Sequence, residues 1–508
     1  MRRTLAGLAL PLALAVARAA PAQDLAAFEK KVSVKTLANG LTVVVCERKE
    51  APVFSFFTHV DVGGDREVPG ITGLAHMFEH MAFKGTDRIG TTDYAKEKAA
   101  LEAVETAYAA YDAERRKSVG RDEKKTAELE KAWKDRIAEA DRYVVLNEFG
   151  EIVDREGGVG LNAFTNSDET GYFFSFPANR LELWAYLESE RYLKPVMREF
   201  YKERDVVHEE RRMRTESQPI GRLIEQFLAA AFTAHPYGQP VVGWPSDLTT
   251  FSASDALEFH ARYYVPSNMT VVLVGDVQAA EVFPLVERYF GRLAAAPKPA
   301  PLRTSEPPQK AERQVVIKDA AQPFYIEGYH RPAFNHPDDA TFDVLQDLLS
   351  SGRTSRLYRS LVRDKKIAAA ASGFGGFPGV KYPGLFAFFG VPTPGHTPEE
   401  IRDAIRAEIE RLKTEDVSDA ELEMVKTRTR ANLIRRLDSN QGLANQLGTY
   451  QARHGDWREL FRDVDRVQKV TKADVRRVAN ETFVETNRTV AMIQSTQMAT
   501  SRDSGGTR

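Results

Sequence analysis

The chain is almost without cysteine. Cys46 stands alone among 508 residues, which excludes an intramolecular disulfide framework. It follows the run "LTVVV", where a thiol reads as a buried strand side chain rather than a reactive group. A surplus of one charge is missing too. With 70 basic and 72 acidic residues the formal net charge is −2, so nothing recommends a nucleic-acid partner or an anionic membrane surface. After the N-terminal region no apolar run approaches the roughly 20 residues that a spanning helix needs, so no stable membrane span is expected. What is present is the composition of a soluble globular protein, 43% hydrophobic and 28% charged. The length asks for two or more domains.

The first residues, "MRRTLAGLALPLALAVARAAPAQ", carry two arginines, an apolar stretch from Leu5 to Ala17, and then small residues. This is the three-part pattern of a secretory signal peptide. Ala17-Arg18-Ala19 and Ala20-Pro21-Ala22 both fit a small-x-small cleavage site, so the cut falls near residue 19 or 22 and residues 1–22 are read as the signal. Arg2-Arg3 meets part of a twin-arginine signal. No cysteine follows the apolar stretch, against a lipoprotein. An uncleaved anchor is the alternative, disfavoured because the stretch is short for a span. The expected destination is export, to the periplasm.

Two strand-like runs, "LTVVVCER" and "VFSFFTHVDVG", precede a short helix that begins near Gly73. A proline-rich segment at 294–309, "AAAPKPAPLRTSEPPQ", divides the chain near its middle. After it the order repeats as "RQVVIKD", "FYIEGYH" and a helix through "ATFDVLQDLLSSG". We read an internal duplication: a first domain over 23–295, a linker at 296–310, a second domain over 311–495 and a flexible tail at 496–508. Residues 93–146 interrupt the plan. Leu101, Val104, Tyr108 and Tyr111 form one helical stripe, and Leu129, Trp133, Ile137 and Ala140 another, with Gly120 in the charged stretch between. This predicts an antiparallel helical hairpin, either an inserted structural spur or a partner-docking or gating element.

Chemistry is concentrated in "GLAHMFEHMAF", residues 73–83. His76, Glu79 and His80 fall at i, i+3 and i+4, one face of a helix. Two imidazoles one turn apart suit a zinc ion, with the glutamate beside them to handle a proton. Catalytic zinc asks for a third protein ligand and an open position. "FYKERDVVHEERRMR" at 200–214 offers Glu203 and Glu210, seven apart and on a shared face, and spacing alone does not choose between them. His208 and Glu209 point off that face. His235 reads as a loop or cleft-wall residue, and His260, His330, His336, His396 and His454 follow no metal spacing.

"HMFEH" is an inverted zinc signature, His-x-x-Glu-His, and its surroundings resemble the pitrilysin, or M16, metallopeptidase family. The resemblance extends to "GLAHMFEHMAFKGT", "LNAFTNSDETGYFFS", "ERDVVHEERRMR", "HPYGQPVVG" and "YYVPSNMTVVLVGDV", over about residues 33 to 495. It implies an α+β fold of two homologous domains, each a mostly antiparallel sheet packed by helices, with the helical hairpin inserted in the first. It implies one zinc ion (Zn2+) per chain, held by His76, His80 and Glu210, with Glu79 as general base. Glu203 becomes the acid that orients a ligand histidine. Asn162, Ala163, Phe164 and Thr165 lie at the cleft edge as substrate-binding residues, and the following strand "TGYFFSF" pairs with an extended peptide. His80 and Glu210 stand 130 positions apart, more than is usual in the family, and the hairpin accounts for the excess.

One departure bears on partners. Many family members carry an arginine and, seven residues on, a tyrosine in the second domain. Aligned on Leu361, those positions are Val362 and Ala369, and Arg363 is one residue off. The resemblance therefore implies a heterodimer with a zinc-less paralogue that supplies the pair, a homodimer being the other arrangement. The activity implied is a zinc endopeptidase acting on exported peptides held in a closed chamber between two domains. The alternative is a non-catalytic scaffold subunit of the same fold.

Overall fold

A computed structural model of the protein describes residues 25–496. The expected signal segment 1–22, and the tail from residue 497 on, lie outside the described residues.

Among the described residues eleven strands form two sheets. The first contains β1 (Val32–Thr36), β2 (Thr42–Glu47), β3 (Val53–Val60), β4 (Val159–Thr165), β5 (Thr170–Pro177) and β6 (Met269–Gly275), in the order β1-β2-β6-β3-β5-β4. The second contains β7 (Arg313–Asp319), β8 (Phe324–Arg331), β9 (Ala368–Phe377), β10 (Gly384–Pro392) and β11 (Arg488–Ser495), in the order β7-β11-β8-β10-β9. Without β1 the two orders superimpose: β2 with β7, β6 with β11, β3 with β8, β5 with β10, β4 with β9. The pairs β2–β6 and β7–β11 are parallel and the remaining pairs antiparallel, so both sheets are mixed in the same way. The duplicated plan seen in the amino-acid order is thus a duplicated topology, one sheet per lobe.

Each sheet is covered on both faces, and the strand sequences say so. In β2, Val43 and Val45 face one core while Val44 and Cys46 face another. In β11, Val490 and Met492 join one cluster, and Ala491 and Ile493 a second. A central strand buried on both faces reads as a continuous apolar run instead of an alternation. Cys46 is fully buried, and burial pushes its thiol up to about 12, so it is inert packing.

The lobes exchange helices. Pro219–Ala231, from the first half of the chain, lays Leu223, Phe227 and Ala231 against Ile326, Ala491 and Ile493 of the second sheet. Asn440–His454, from the second half, lays Leu443, Ala444 and Leu447 against Phe57, Val272 and Val274 of the first. Gly448 on that helix sits so close to β3 that a Cβ would meet the Phe57 ring at 2.5 Å, so only glycine allows the approach. Each lobe's core is therefore completed by the other half of the chain.

The inserted hairpin forms from Tyr94–Arg115 and Glu123–Ala140. Asp93 caps the first helix by accepting from Lys96 N, and Asp122 caps the second by accepting from Lys124 N and Lys125 N. Val104, Tyr108, Trp133 and Ala140 of the expected stripes are buried, with Leu101, Tyr111 and Ile137 half-buried against the same core. A bridge between Thr91 and Val144 closes the base.

Candidate metal centre and its cleft

The motif helix is Leu74–Met81. It starts at Gly73, whose φ of +91° puts it in the left-handed region, and a Cβ there would lie 2.6 Å from Val242 O. Buried Glu67 accepts from Gly73 N and Ala75 N, both at 2.7 Å, so its carboxyl group satisfies the helix's amide end. Asp247 does the same for the preceding loop, accepting from Gly70 N, Thr72 N and the Thr72 hydroxyl. The helix is anchored at its start, and that fixes where one turn later His76, Glu79 and His80 point.

Across from it runs Phe200–Arg211, which we term the acidic helix. Glu210 Oε2 lies 3.7 Å from His76 Nε2 and 3.6 Å from His80 Nε2. Ligand-type atoms of these three residues fall within 4.8 Å of one another, the separation that three donors around one ion require. Among the described residues this is the one such group of His, Cys, Asp and Glu side chains. Glu203, the other acid on the face, stands back: its Oε1 accepts from His80 Nδ1 at 3.0 Å. With the ring proton committed there, the Nε2 lone pair is the one turned toward Glu210.

Electrostatics divide the roles further. Burial, aided by the charge of neighbouring His80, lowers His76 to about 3, so its imidazole is neutral throughout the physiological range. Burial alone would lower His80 as well, but Glu203, Glu79 and Glu210 outweigh it and hold its pKa up. Burial pushes Glu203 upward, yet His80 and Lys84 overcome this and bring it to about 2, a fixed anion. Burial raises Glu79, against a hydrogen bond from the Thr165 side chain. Glu79 Oε2 is buried with no hydrogen-bond partner among the described residues. A buried carboxylate with a raised pKa and an unused oxygen is poised to take a proton. The two imidazoles and the acid also fit a zinc ion by donor type, since neutral Nε2 atoms and a carboxylate are what zinc takes.

The predicted cleft-edge residues do not all meet the cleft. Asn162 and Ala163 line a cleft of about 510 Å³ shared with Glu79, His80 and Glu203. Thr165 touches Glu79. Phe164 faces the other side of the sheet, stacked on Phe57 at 6.2 Å in the core under the exchanged helix, and is packing, not cleft. The expected pairing of a peptide with "TGYFFSF" is also corrected. That strand is β5, hydrogen-bonded to β3 on one side and β4 on the other, so it has no free edge. The edge is β4 itself. The cleft itself is lined by residues of the first lobe.

Several contributors escaped the sequence reading. Lys84 places its ammonium 2.6 Å from Glu203 and 3.4 Å from Glu199. It stands three residues past the end of the motif helix, where no helical spacing marks it. Arg214, in a π-helical turn over Arg212–Glu216, reaches Glu210 Oε1 at 2.5 Å, an i,i+4 relation. Of the remaining histidines, His59 pairs with Glu169 at 2.8 Å, and His260 lies stacked on Phe78 and Tyr264; both are structural. In the second lobe Leu361 is buried, Val362 packs beside it, and Arg363 is an exposed partner of Asp364, so that stretch presents no arginine–tyrosine pair.

Residues 43–114 match the sequence profile described as insulinase (peptidase family M16), and residues 250–429 match the one described as peptidase M16 inactive domain. The zinc protease PqqE of Helicobacter pylori is 30% identical over 474 residues, covering 90% of this chain and 92% of that protein. An uncharacterized zinc protease of Mycobacterium leprae is 24% identical over 465 residues, 91% of each chain. Among solved structures, a protease from Helicobacter pylori aligns with TM-score 0.75 at 29% identity, over 91% of this chain and 99% of that one. The periplasmic protease PqqL from Escherichia coli aligns at TM-score 0.67 and 18% identity, over 93% of this chain and 48% of that one, a likeness of fold.

Proposed function

The chain belongs to the M16 peptidase family, and from that premise we propose that it is a zinc-dependent endopeptidase cutting peptides or unfolded segments in the exported compartment. The observation that carries the reading is the convergence of His76, His80 and Glu210 beside a buried, unpartnered Glu79 oxygen. His76, His80 and Glu210 would hold the ion, which supplies Lewis acidity toward a water molecule and a peptide carbonyl. Glu79 is the base. Its raised pKa makes Oε2 a better proton acceptor than an exposed carboxylate, and the same oxygen returns the proton to the leaving amine. Glu203, charge-paired with Lys84, keeps the His80 ring in one orientation and one tautomer. The free edge of β4 offers backbone groups to an extended substrate, and its Thr165 end steadies Glu79.

Export rests on the N-terminal pattern. Among the described residues no helix is long and apolar enough to cross a membrane. The open cleft and the missing arginine–tyrosine pair support a second subunit, a zinc-less paralogue that closes the site and supplies those groups. A non-catalytic assembly subunit is the second reading, favoured by the inactive-domain match over 250–429; that stretch lies largely in the second lobe, away from the four residues.

Metal analysis with a fluorogenic peptide assay, on wild type and Glu79→Gln, with and without a co-expressed paralogue, tests the proposal. A zinc content near one per chain and Glu79-dependent turnover are expected. Turnover indifferent to Glu79 in every arm would leave the assembly reading standing.

A further inference from the structure

The hairpin Tyr94–Ala140 has no zinc chemistry of its own, yet its contacts lead to the metal centre. The acidic helix shows one face to the motif helix, with Glu203 and Glu210, and another to the hairpin. On that second face Tyr201 donates to Glu105 at 2.6 Å, and Glu105 also accepts from the Ser254 hydroxyl. Buried Arg204 donates to the Tyr108 hydroxyl at 2.9 Å and to Phe251 O at 3.0 Å. Its guanidinium lies 4.9 Å from the Tyr201 ring, 5.3 Å from Tyr108 and 5.8 Å from Trp133, while Trp133 meets Tyr201 edge-on at 5.0 Å. Just before the helix, fully buried Arg198 grips Glu97 of the hairpin with two hydrogen bonds and also donates to Lys84 O, Thr86 O and Ile89 O, the loop that leaves the motif helix. The hairpin therefore holds both the helix that carries Glu210 and the chain just beyond His80.

We infer that the inserted hairpin is a positioning element of the metal centre, with Tyr201 and Arg204 as positioning residues that transmit its support to Glu203 and Glu210. This rests on the zinc reading above. The physical argument is one of stiffness. A helix held on one side only by its ligands swings with them, and three donors must stay within ligand distance of one point. Rigid aromatic rings and a caged guanidinium, immobilised by packing, fix the helix before any ion arrives. A spur without this role has no need to aim buried polar groups at the acidic helix, since apolar packing alone would cover it.

The test uses the full chain loaded with zinc and challenged with a chelator, while thermal unfolding is followed on the metal-free protein. Tyr201→Phe removes one hydroxyl, Arg204→Met removes the caged charge but keeps a stem of similar reach, and Lys131→Ala alters a solvent-exposed ion pair within the hairpin. Zinc release should quicken about threefold in Tyr201→Phe and about tenfold in Arg204→Met, at or below the roughly 10–100-fold of a group that touches a ligand directly. Lys131→Ala should match wild type, and the Tyr201→Phe unfolding midpoint should be unchanged. Equal release from all four proteins overturns the inference. So does faster release matched by a proportionate fall in the metal-free midpoint, which would mark support of the fold alone. A wild type that binds no zinc sinks the metal reading itself, a result distinct from the other two.

Discussion

The two lobes share a strand order and a helix at the same point in it, yet those helices are dressed differently. In the first lobe, the helix after β3 turns His76, Glu79 and His80 toward Glu210 and leaves a buried carboxylate oxygen unpartnered. In the second, two of the three acids on the helix after β8, Asp339–Ser350, meet fixed cations: Asp339 meets Arg331, and Asp347 meets Arg428 at 2.7 Å. Gln346 there accepts from Gly375 N of β9. One scaffold has thus been filled once with donors that converge and once, among the described residues, with donors that do not. The difference lies in a handful of side chains, and a shared fold is silent on it.

Changes in each lobe should break this contrast to different degrees. Glu79→Gln should cost about 10²–10⁴-fold in kcat with zinc retained, the range for a lost general base. Asp347→Asn in the second lobe should leave kcat unchanged; turnover measured on both variants checks the pair. Phe227→Ala, in the helix that the first half lends to the second sheet, should cost about 3–5 kcal/mol, the range for a large aromatic removed from a core. Because the cores are exchanged, both lobes should unfold together in a single calorimetric transition, and two separated transitions would refute that unity. Glu203→Gln should weaken zinc binding by about 10–100-fold without unfolding the chain, read by competition with a chelator.

The smallest effect concerns pH. Glu169, in the turn between β4 and β5, is buried, which would raise it, but His59 and then Arg453 of the exchanged helix bring it to about 2. A carboxyl depressed below its ordinary 4.5 stabilises the fold fully above that pH and loses the contribution as pH falls toward 2. Glu169→Gln should flatten the stability profile between those values, measured by thermal unfolding at a series of acid pH values.

Much of the site was legible beforehand. The i, i+3, i+4 spacing of His76, Glu79 and His80 needs only helical geometry, and Glu203 with Glu210 needs the same geometry once more. Choosing Glu210 over Glu203 as the ligand came from resemblance, because the choice depends on how far the acidic helix has slid along the motif helix, which no local pattern records. Phe164 and β5 were misplaced for a related reason. Which face of a strand meets a cleft, and which strand is left at an edge, follow from the strand order, and β5 lies inside the sheet because β4 folds back beside it.

The amino-acid order by itself determined the motif helix, the hairpin, the repeated strand–strand–helix plan and the residue types able to hold a zinc ion, since all of these are set by periodicity and chemistry within a few turns of chain. Only the tertiary structure decided that each lobe is completed by the other's helix, that the hairpin braces the acidic helix, and that Glu79 keeps an oxygen free. Those outcomes depend on contacts between residues tens to hundreds of positions apart, where packing and burial, not local propensity, choose the partner.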